Sequence, residues 1–411
     1  MEVNIDMKCK NIHGINVMNV KSPSALTSYV AYFSLSGSFA ENSKERGIAH
    51  FLEHIFFKGT ESRTYVDINE DAAMMGADQN AYTSKYETCY HLSCPAVNYK
   101  KALELLSDQM FNPTFPEEEI EKERTVIQEE RKMYEDDHNS FYFRRMFQDI
   151  LNDQMCHDTI GYEETIDSFK RDDFFAYKKK FYNKENTLLL IAGPHDSEEV
   201  FATCEEMLKN HTLESGEIPE VQEGLIHDFE HFEIKREGIS QTYITKYFPT
   251  VSSSEFKAAH KCMMNALGGG MYSILNTEIR EKLGLCYSIS AFDHLCNKKE
   301  GLGGINTMVA PENAELALSK IDECIDDMTK NGIDEKIFKC AKAKMLADWC
   351  KVMENPKKLA GTIAQRTLLG IEMDFEEDYQ KVLELTLEDV NTYAKEFFVN
   401  RGQGVYIMSP K

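Results

Sequence analysis

Two hydrophobic periods alternate along the chain. Runs in which every second residue is apolar, "YVAYFSLSGSF" (29–39), "ETCYHLSC" (87–94), "QTYITKYF" (241–248) and "LCYSISAF" (285–292), predict β-strands with one buried face. The segments between them, such as "YKKALELLSDQM" (99–110) and "AELALSKIDECIDDM" (314–328), carry apolar residues at helical spacing and predict amphipathic helices. Strands mixed with helices without strict βαβ alternation predict an α+β fold, in which helices cover a largely antiparallel sheet.

The pattern occurs twice. "RDDFFAYKKKFYNKENTLLLIAG" (171–193) resembles "LEDVNTYAKEFFVNRGQGVYIMS" (387–409), an offset of 387 against 171. In both an acidic cap precedes a helix with Tyr177 or Tyr393 four residues before Phe181 or Phe397, and an apolar strand follows. At the same offset "FPEEEIEKERTVIQEERKMY" (115–134) pairs with "IDEKIFKCAKAKMLADW" (333–349). Between the copies, "NHTLESGEIPEVQEG" (210–224) is polar, has neither period, and holds the Gly and Pro of a linker. The expected organisation is an N-terminal domain at 1–209, a linker at 210–224 and a homologous domain at 225–411.

Composition narrows the class. With 411 residues, 42% apolar and 28% charged, the chain reads as a soluble globular protein. Sixty-nine acidic against 46 basic residues give a charge of -23, which disfavours nucleic acid and anionic lipid as partners and favours cationic peptides weakly. The eleven cysteines form no CxxC pair, which points to reduced thiols in the cytoplasm. The opening "MEVNIDMKCKNIHGINV" has neither an apolar h-region nor transit-peptide character, and no apolar run reaches the roughly 18 residues of a membrane span.

Chemistry concentrates in "ERGIAHFLEHIFFKGT" (45–60). A helix is expected to begin at Asn42 with Glu45 three residues later and to end at Lys58-Gly59. On it Ile48, Phe51, Leu52, Ile55 and Phe56 share one side, and His50, Glu53 and His54 share the other. Histidines four apart on a helix can converge on one zinc ion, and Glu53 stands beside both rings where it can reach a water on that ion. The order HxxEH is the inverzincin signature. A third ligand is sought in the helix expected after the Thr114–Glu117 capping box, with Pro116 near its first turn. Its apolar stripe, Ile120, Val126, Ile127 and Met133, is interrupted by Glu123 and Glu130, seven residues apart, whereas Glu118, Glu121 and Glu129 project outward. A carboxylate buried in an apolar face has to be paired or to hold a metal. In the second copy His50, Glu53, His54 and Glu130 correspond to Leu267, Gly270, Met271 and Ala347, so only the first half carries metal chemistry.

Together these residues resemble the pitrilysin family of inverzincin metallopeptidases, over nearly the whole chain. The resemblance implies two homologous domains forming half of a clam-shell chamber, one Zn²⁺ per chain held by His50, His54 and Glu130, and Glu53 as general base. It implies that Glu123 supports the site from behind the ligands. "NAYTSKYETCYHLS" (80–93) resembles the family's substrate-binding edge strand, placing peptide backbone against Asn80, Ala81 and Tyr82. "LGGGMYSILNTEIREKLGLCYS" (267–288) is similar to the family's glycine-rich turn, helix and strand, in which Arg280 and Tyr287 would contact substrate across the chamber. The family further implies a dimer, either of two copies or with a related inactive chain. The expected activity is zinc-dependent endopeptidase. The alternative from another class is a non-catalytic scaffold or partner subunit, but such chains lose metal ligands, which all stand here. A zinc phosphoesterase is disfavoured because no phosphate loop accompanies the site, and "GGG" (268–270) reads as a turn or a close-packing point. His91 and His157 read as core or surface histidines, and "YKKKF" (177–181) as a solvated helix face.

Overall fold

A computed structural model describes residues 5–222, 230–250, 258–295, 300–399 and 402–411. The first half contributes strands β1 (Asp6–Ile12), β2 (Ile15–Lys21), β3 (Thr27–Ser34), β4 (Asp78–Thr83), β5 (Thr88–Pro95) and β6 (Thr187–Gly193) to a sheet of order β1-β2-β6-β3-β5-β4. The second contributes β7 (His231–Arg236), β8 (Thr242–Thr250), β9 (Cys286–Leu295), β10 (Gly301–Val309) and β11 (Gly404–Pro410), in the order β7-β11-β8-β10-β9. With β1 set aside, the two orders match strand for strand. In both, the first two of these strands run parallel and the other neighbours antiparallel. The sequence duplication is therefore a duplication of topology.

Helices α1 (Ile48–Ile55), α2 (Tyr65–Met74), α3 (Tyr99–Phe111), α4 (Glu117–Asp136), α5 (His138–Ile150), α6 (Asp153–Cys156), α7 (Glu163–Ser168), α8 (Arg171–Phe181) and α9 (Ser197–Met207) belong to the first half. Those of the second are α10 (Ala258–Gly268), α11 (Ala314–Asn331), α12 (Glu335–Met353), α13 (Pro356–Leu368), α14 (Phe375–Glu384) and α15 (Leu387–Val399). Val17, Val30, Tyr32, Leu189 and Ile191 form one core with α1, α3, α4 and α8.

The expectation of one buried face per strand fails, because the opposite face is covered as well. Met18, Tyr29, Ala31, Phe33, Leu188 and Leu190 pack beneath Leu359, Ala360, Ile363 and Ala364 of α13, a helix from the second half. The exchange is mutual. Tyr142, Met146 and Ile150 of α5, from the first half, pack on Tyr247, Leu302, Tyr406 and Met408 of the second sheet. The Tyr142 hydroxyl lies 2.8 Å from the Tyr406 carbonyl, to which it donates, and 2.9 Å from Thr245 Oγ1, from which it can accept. Each half thus lends the other a helix, and separating them would expose an apolar sheet face on both.

His211 to Gln222 form neither helix nor strand. This connection is nonetheless fastened to the first half, where Glu217 O accepts from Asn183 Nδ2 at 3.0 Å and Gly216 N donates to Glu185 Oε2 at 3.0 Å. Gly268 ends α10 against β9, where a Cβ would stand 2.4 Å from Ala291 N, so "GGG" begins at a close-packing point. His91 and His157 are both buried. Among the described residues, no helix is long and apolar enough to cross a membrane.

Candidate metal centre

The centre begins with the burial of one side of α1. Ile48, Ala49, Phe51, Leu52 and Ile55 are buried in the first core, each large side chain contributing about 1.5–3 kcal/mol. That anchoring turns His50, Glu53 and His54 to the other side, as the helical spacing predicts. The start of the helix departs from expectation. Asn42 N does bond Glu45 Oε2 at 3.1 Å, but this turn precedes the helix, whose N-cap is Gly47 with φ 95°. The cap is supplied from outside by the buried Glu41.

The second contributor, α4, also starts differently, with Pro116 as N-cap and no side-chain cap from Thr114. Its buried stripe is Ile120, Glu123 and Ile127, with Glu130 half-buried one turn on. Val126 and Met133, expected in that stripe, are 49% and 58% exposed, because the face toward α1 is narrower than the apolar residues suggest. Glu118, Glu121 and Glu129 are exposed as expected.

Packing α4 on α1 brings the predicted ligands together. Glu130 Oε2 lies 3.6 Å from His50 Nε2 and 3.4 Å from His54 Nε2. One ligand atom from each residue lies within 4.8 Å of the others. Donors about 2.0–2.1 Å from a tetrahedral zinc stand roughly 3.3–3.4 Å apart, close to these separations. Glu130 Oε2 is buried and meets the two ring nitrogens only at these long separations, without a well-formed hydrogen bond among the described residues, an arrangement that an ion between the three donors would complete. The donor set and this oxygen both fit zinc.

Behind the ligands, His54 Nδ1 lies 3.0 Å from Glu123 Oε2, and Lys58 Nζ lies 2.6 Å from Glu123 Oε1. An imidazole donating Nδ1–H to a carboxylate presents Nε2 as an electron pair. In front, Thr83 Oγ1 donates to Glu53 Oε2 at 2.6 Å, aiming the carboxylate from the end of β4. Burial, helped by the charge of His54, pushes His50 down to about 4 against the pull of Glu130. Burial also opposes the charged form of His54, yet Glu123 and Glu130 outweigh it and raise His54 to about 9. Burial raises Glu53 despite Thr83, while bonding to His54 lowers Glu130 against its own burial. Without metal, these surroundings favour a neutral His50, a protonated His54 and an ionised Glu130.

His50, Glu53 and Glu130 line a cavity of about 410 Å³ together with Ala81, Tyr82, Thr83 and Tyr134. Its floor is β4, the edge strand of the first sheet. The Ala81 N–H donates to Asn80 Oδ1 at 2.8 Å, so this edge donor is capped by the residue before it. Arg280 and Tyr287 are not in the lining. Arg280 lies on a π-helical turn, Asn276–Lys282, with its guanidinium 5.8 Å from the ring centroid of Tyr287, which is 84% exposed on β9. Sequence reasoning missed Glu41, Lys58, Thr83 and Tyr134. Lys58 and Tyr134 follow His54 and Glu130 by one helical turn, a signal that was there to be read.

Residues 16–163 match the family described as "Insulinase (Peptidase family M16)", and residues 168–345 match "Peptidase M16 inactive domain". An "uncharacterized zinc protease" of Rickettsia bellii is 32% identical over 333 residues, covering 80% of this chain and 79% of that protein. The chain belongs to peptidase family M16. A second relative, the "uncharacterized zinc protease YmxG" of Bacillus subtilis, is 27% identical over 401 residues, 95% of this chain and 94% of its own length. The M16 fold extends to solved structures. A protease from Helicobacter pylori superposes with TM-score 0.88 at 20% identity over 99% of this chain and 100% of its own. A Pseudomonas fluorescens structure described as a peptidase M16 inactive domain reaches 0.89 at 16% identity, over 99% and 98%.

Proposed function

We propose that this M16 member is a zinc-dependent endopeptidase acting on extended peptides. The observation carrying the reading is the buried Glu130 Oε2, 3.6 Å from His50 Nε2 and 3.4 Å from His54 Nε2, with Glu53 beside them. Its relatives' description as zinc proteases agrees with it.

His50, His54 and Glu130 would hold the ion, and His50 and Glu130 also line the cavity. Zinc there would supply Lewis acidity to the scissile carbonyl and to the attacking water. Glu53 takes the proton from that water and returns it to the leaving amine, a cycle suited to a carboxylate whose burial raises its proton affinity. Thr83 holds Glu53 in line, and Glu123 fixes the tautomer of His54. The peptide would lie along β4 near Asn80, Ala81 and Tyr82, adding a strand to the edge once the Asn80 amide releases the Ala81 N–H. Arg280 and Tyr287 would approach the carbonyl oxygen from the second half when a chamber closes. The two domains, 1–209 and 225–411, would make half of that chamber, and a second copy or a related chain the other half.

Glu53→Gln tests this reading. Zinc content should persist while hydrolysis of a quenched peptide falls by about 10²–10⁴-fold. Turnover near the wild-type rate would remove Glu53 from the mechanism, and wild-type protein that binds zinc yet cleaves nothing would support a scaffold role instead.

A further inference from the structure

Helix α1 has eight residues and starts at a glycine that offers no capping side chain. Gly47 is forced by its surroundings: φ is 95°, and a Cβ would lie 2.7 Å from both Gly161 Cα and Ile160 O. The amides at the head of the helix are satisfied from six residues upstream. Glu41 Oε2 accepts from Gly47 N at 2.8 Å, and Glu41 Oε1 accepts from Ala49 N at 2.9 Å, immediately before His50. The Glu41 side chain has no exposed surface.

Glu41 is in turn held. His157 Nε2 lies 3.5 Å from Glu41 Oε2 and 2.5 Å from Ser38 O, and the His157 carbonyl accepts from Lys85 Nζ. Lys85 belongs to the turn between β4 and β5, two residues after Thr83. Asp158, Thr159 and Ile160, which follow His157, line the metal cavity. One buried carboxylate therefore joins the ligand-bearing helix to the cavity wall, and through His157 and Lys85 to the hairpin that aims Glu53.

The electrostatics favour the same role. A helix N-terminus carries about +0.5 charge, and His50 sits on its first turn, where that charge would repel a dication. Burial raises the proton affinity of Glu41, while His157 and the Gly47 and Ala49 amides favour its carboxylate form, and that form offsets the positive end of the helix.

We propose that Glu41 is a positioning residue of the metal centre, fixing the height and charge of the head of α1 so that His50 meets the ion held by His54 and Glu130. The proposal rests on the zinc peptidase reading, so zinc binding is measured separately from turnover. In Glu41→Gln the amide keeps an acceptor, turns an N–H toward a backbone N–H, and removes the charge. Its zinc affinity, measured by chelator competition, should fall about ten- to a hundredfold. The visible spectrum of the cobalt-substituted protein should shift, and kcat at saturating zinc should drop more than KM rises. Asp378→Asn, which breaks the buried pair with Arg366 in the second half, should lower the melting temperature and leave zinc affinity and the cobalt spectrum unchanged. If Glu41→Gln does not fold, His157→Gln, which leaves the cap and loosens its support, should show a smaller loss of zinc affinity. Wild-type zinc affinity and cobalt spectrum in the folded Glu41→Gln protein, or in His157→Gln when that is the variant studied, would overturn the proposal. Wild-type protein that binds no zinc would instead overturn the underlying reading.

Discussion

Thr83 and Glu53 share a 2.6 Å hydrogen bond from hydroxyl to carboxylate, and through it the edge strand of the first sheet sets the direction of the side chain assigned as general base. The strand that would bind the peptide and the helix that would hold the metal are therefore registered against each other by one polar contact. A helix could place Glu53 beside the two histidines, but only β4 fixes which of its rotamers faces the cavity.

Replacing Thr83 with valine keeps the volume and removes the donor. A hydrogen bond to a charged group is worth about 1.5–3 kcal/mol, roughly a ten- to hundredfold change in rate if it acts in the transition state. The expected result is a loss of that size in kcat with zinc content unchanged, and near-complete rescue by Thr83→Ser. Equal kcat in Thr83→Val and wild type would show that Glu53 is aimed by something else.

How much of this was legible before folding depends on the range of the interaction. That His50, Glu53 and His54 share a side could be read because a helix converts a spacing of four into a shared side, and that Glu123 and Glu130 face α1 because a carboxylate in an apolar stripe demands a partner; the choice between those two came from the family resemblance. The duplicated order of elements was readable, whereas the strand order and the parallel pair in each sheet came only with the structure. What escaped depends on distant partners. Glu41 carries no local sign that it caps a helix across six residues, and the Asn42–Glu45 signal marked a real turn that α1 does not continue. Val126 and Met133 are apolar yet exposed, so a hydrophobic wheel drew the stripe of α4 too wide. The second buried face of each sheet was invisible, since the covering helices, α5 and α13, come from opposite halves of the chain.

The turn after α1 is fastened by a buried carboxylate, and its contribution should follow pH. Asp108 Oδ2 receives Thr60 Oγ1 at 2.7 Å, Ser62 Oγ at 2.9 Å and Arg63 Nη1 at 2.7 Å. Burial works against the charge of Asp108, but these bonds and one from Asn112 outweigh it and hold the carboxyl below the ordinary value. A group lowered on folding adds stability that is complete above its unfolded pKa, about 3.9, and disappears as pH falls through the folded value. Asp108→Asn should thus cost about 1–3 kcal/mol in urea unfolding at pH 7. The gap between variant and wild type should stay constant down to about pH 5 and begin to narrow below about pH 4. A gap undiminished at pH 3 would mean that packing, not charge, is what Asp108 supplies.

Zinc binding should release a proton, and the residue that loses it can be named. In the metal-free cluster His50 is held near 4 and is neutral at pH 7, whereas His54 is raised to about 9 by Glu123 and Glu130 and is protonated. His54 Nε2 can accept a metal only as a free electron pair, so the ion has to displace that proton while Nδ1–H stays on Glu123. Apparent zinc affinity should therefore rise about tenfold per pH unit from 7 toward 9 and level off above. Calorimetric titrations in two buffers of different ionisation enthalpy should show close to one proton released at pH 7. Removing Glu123 should lower the proton affinity of His54 and shrink that release, even as the loss of orientation weakens the site about ten- to a hundredfold. No proton release at pH 7 would mean that His54 is already neutral before the metal arrives, and that Glu123 acts on the orientation of the ring alone.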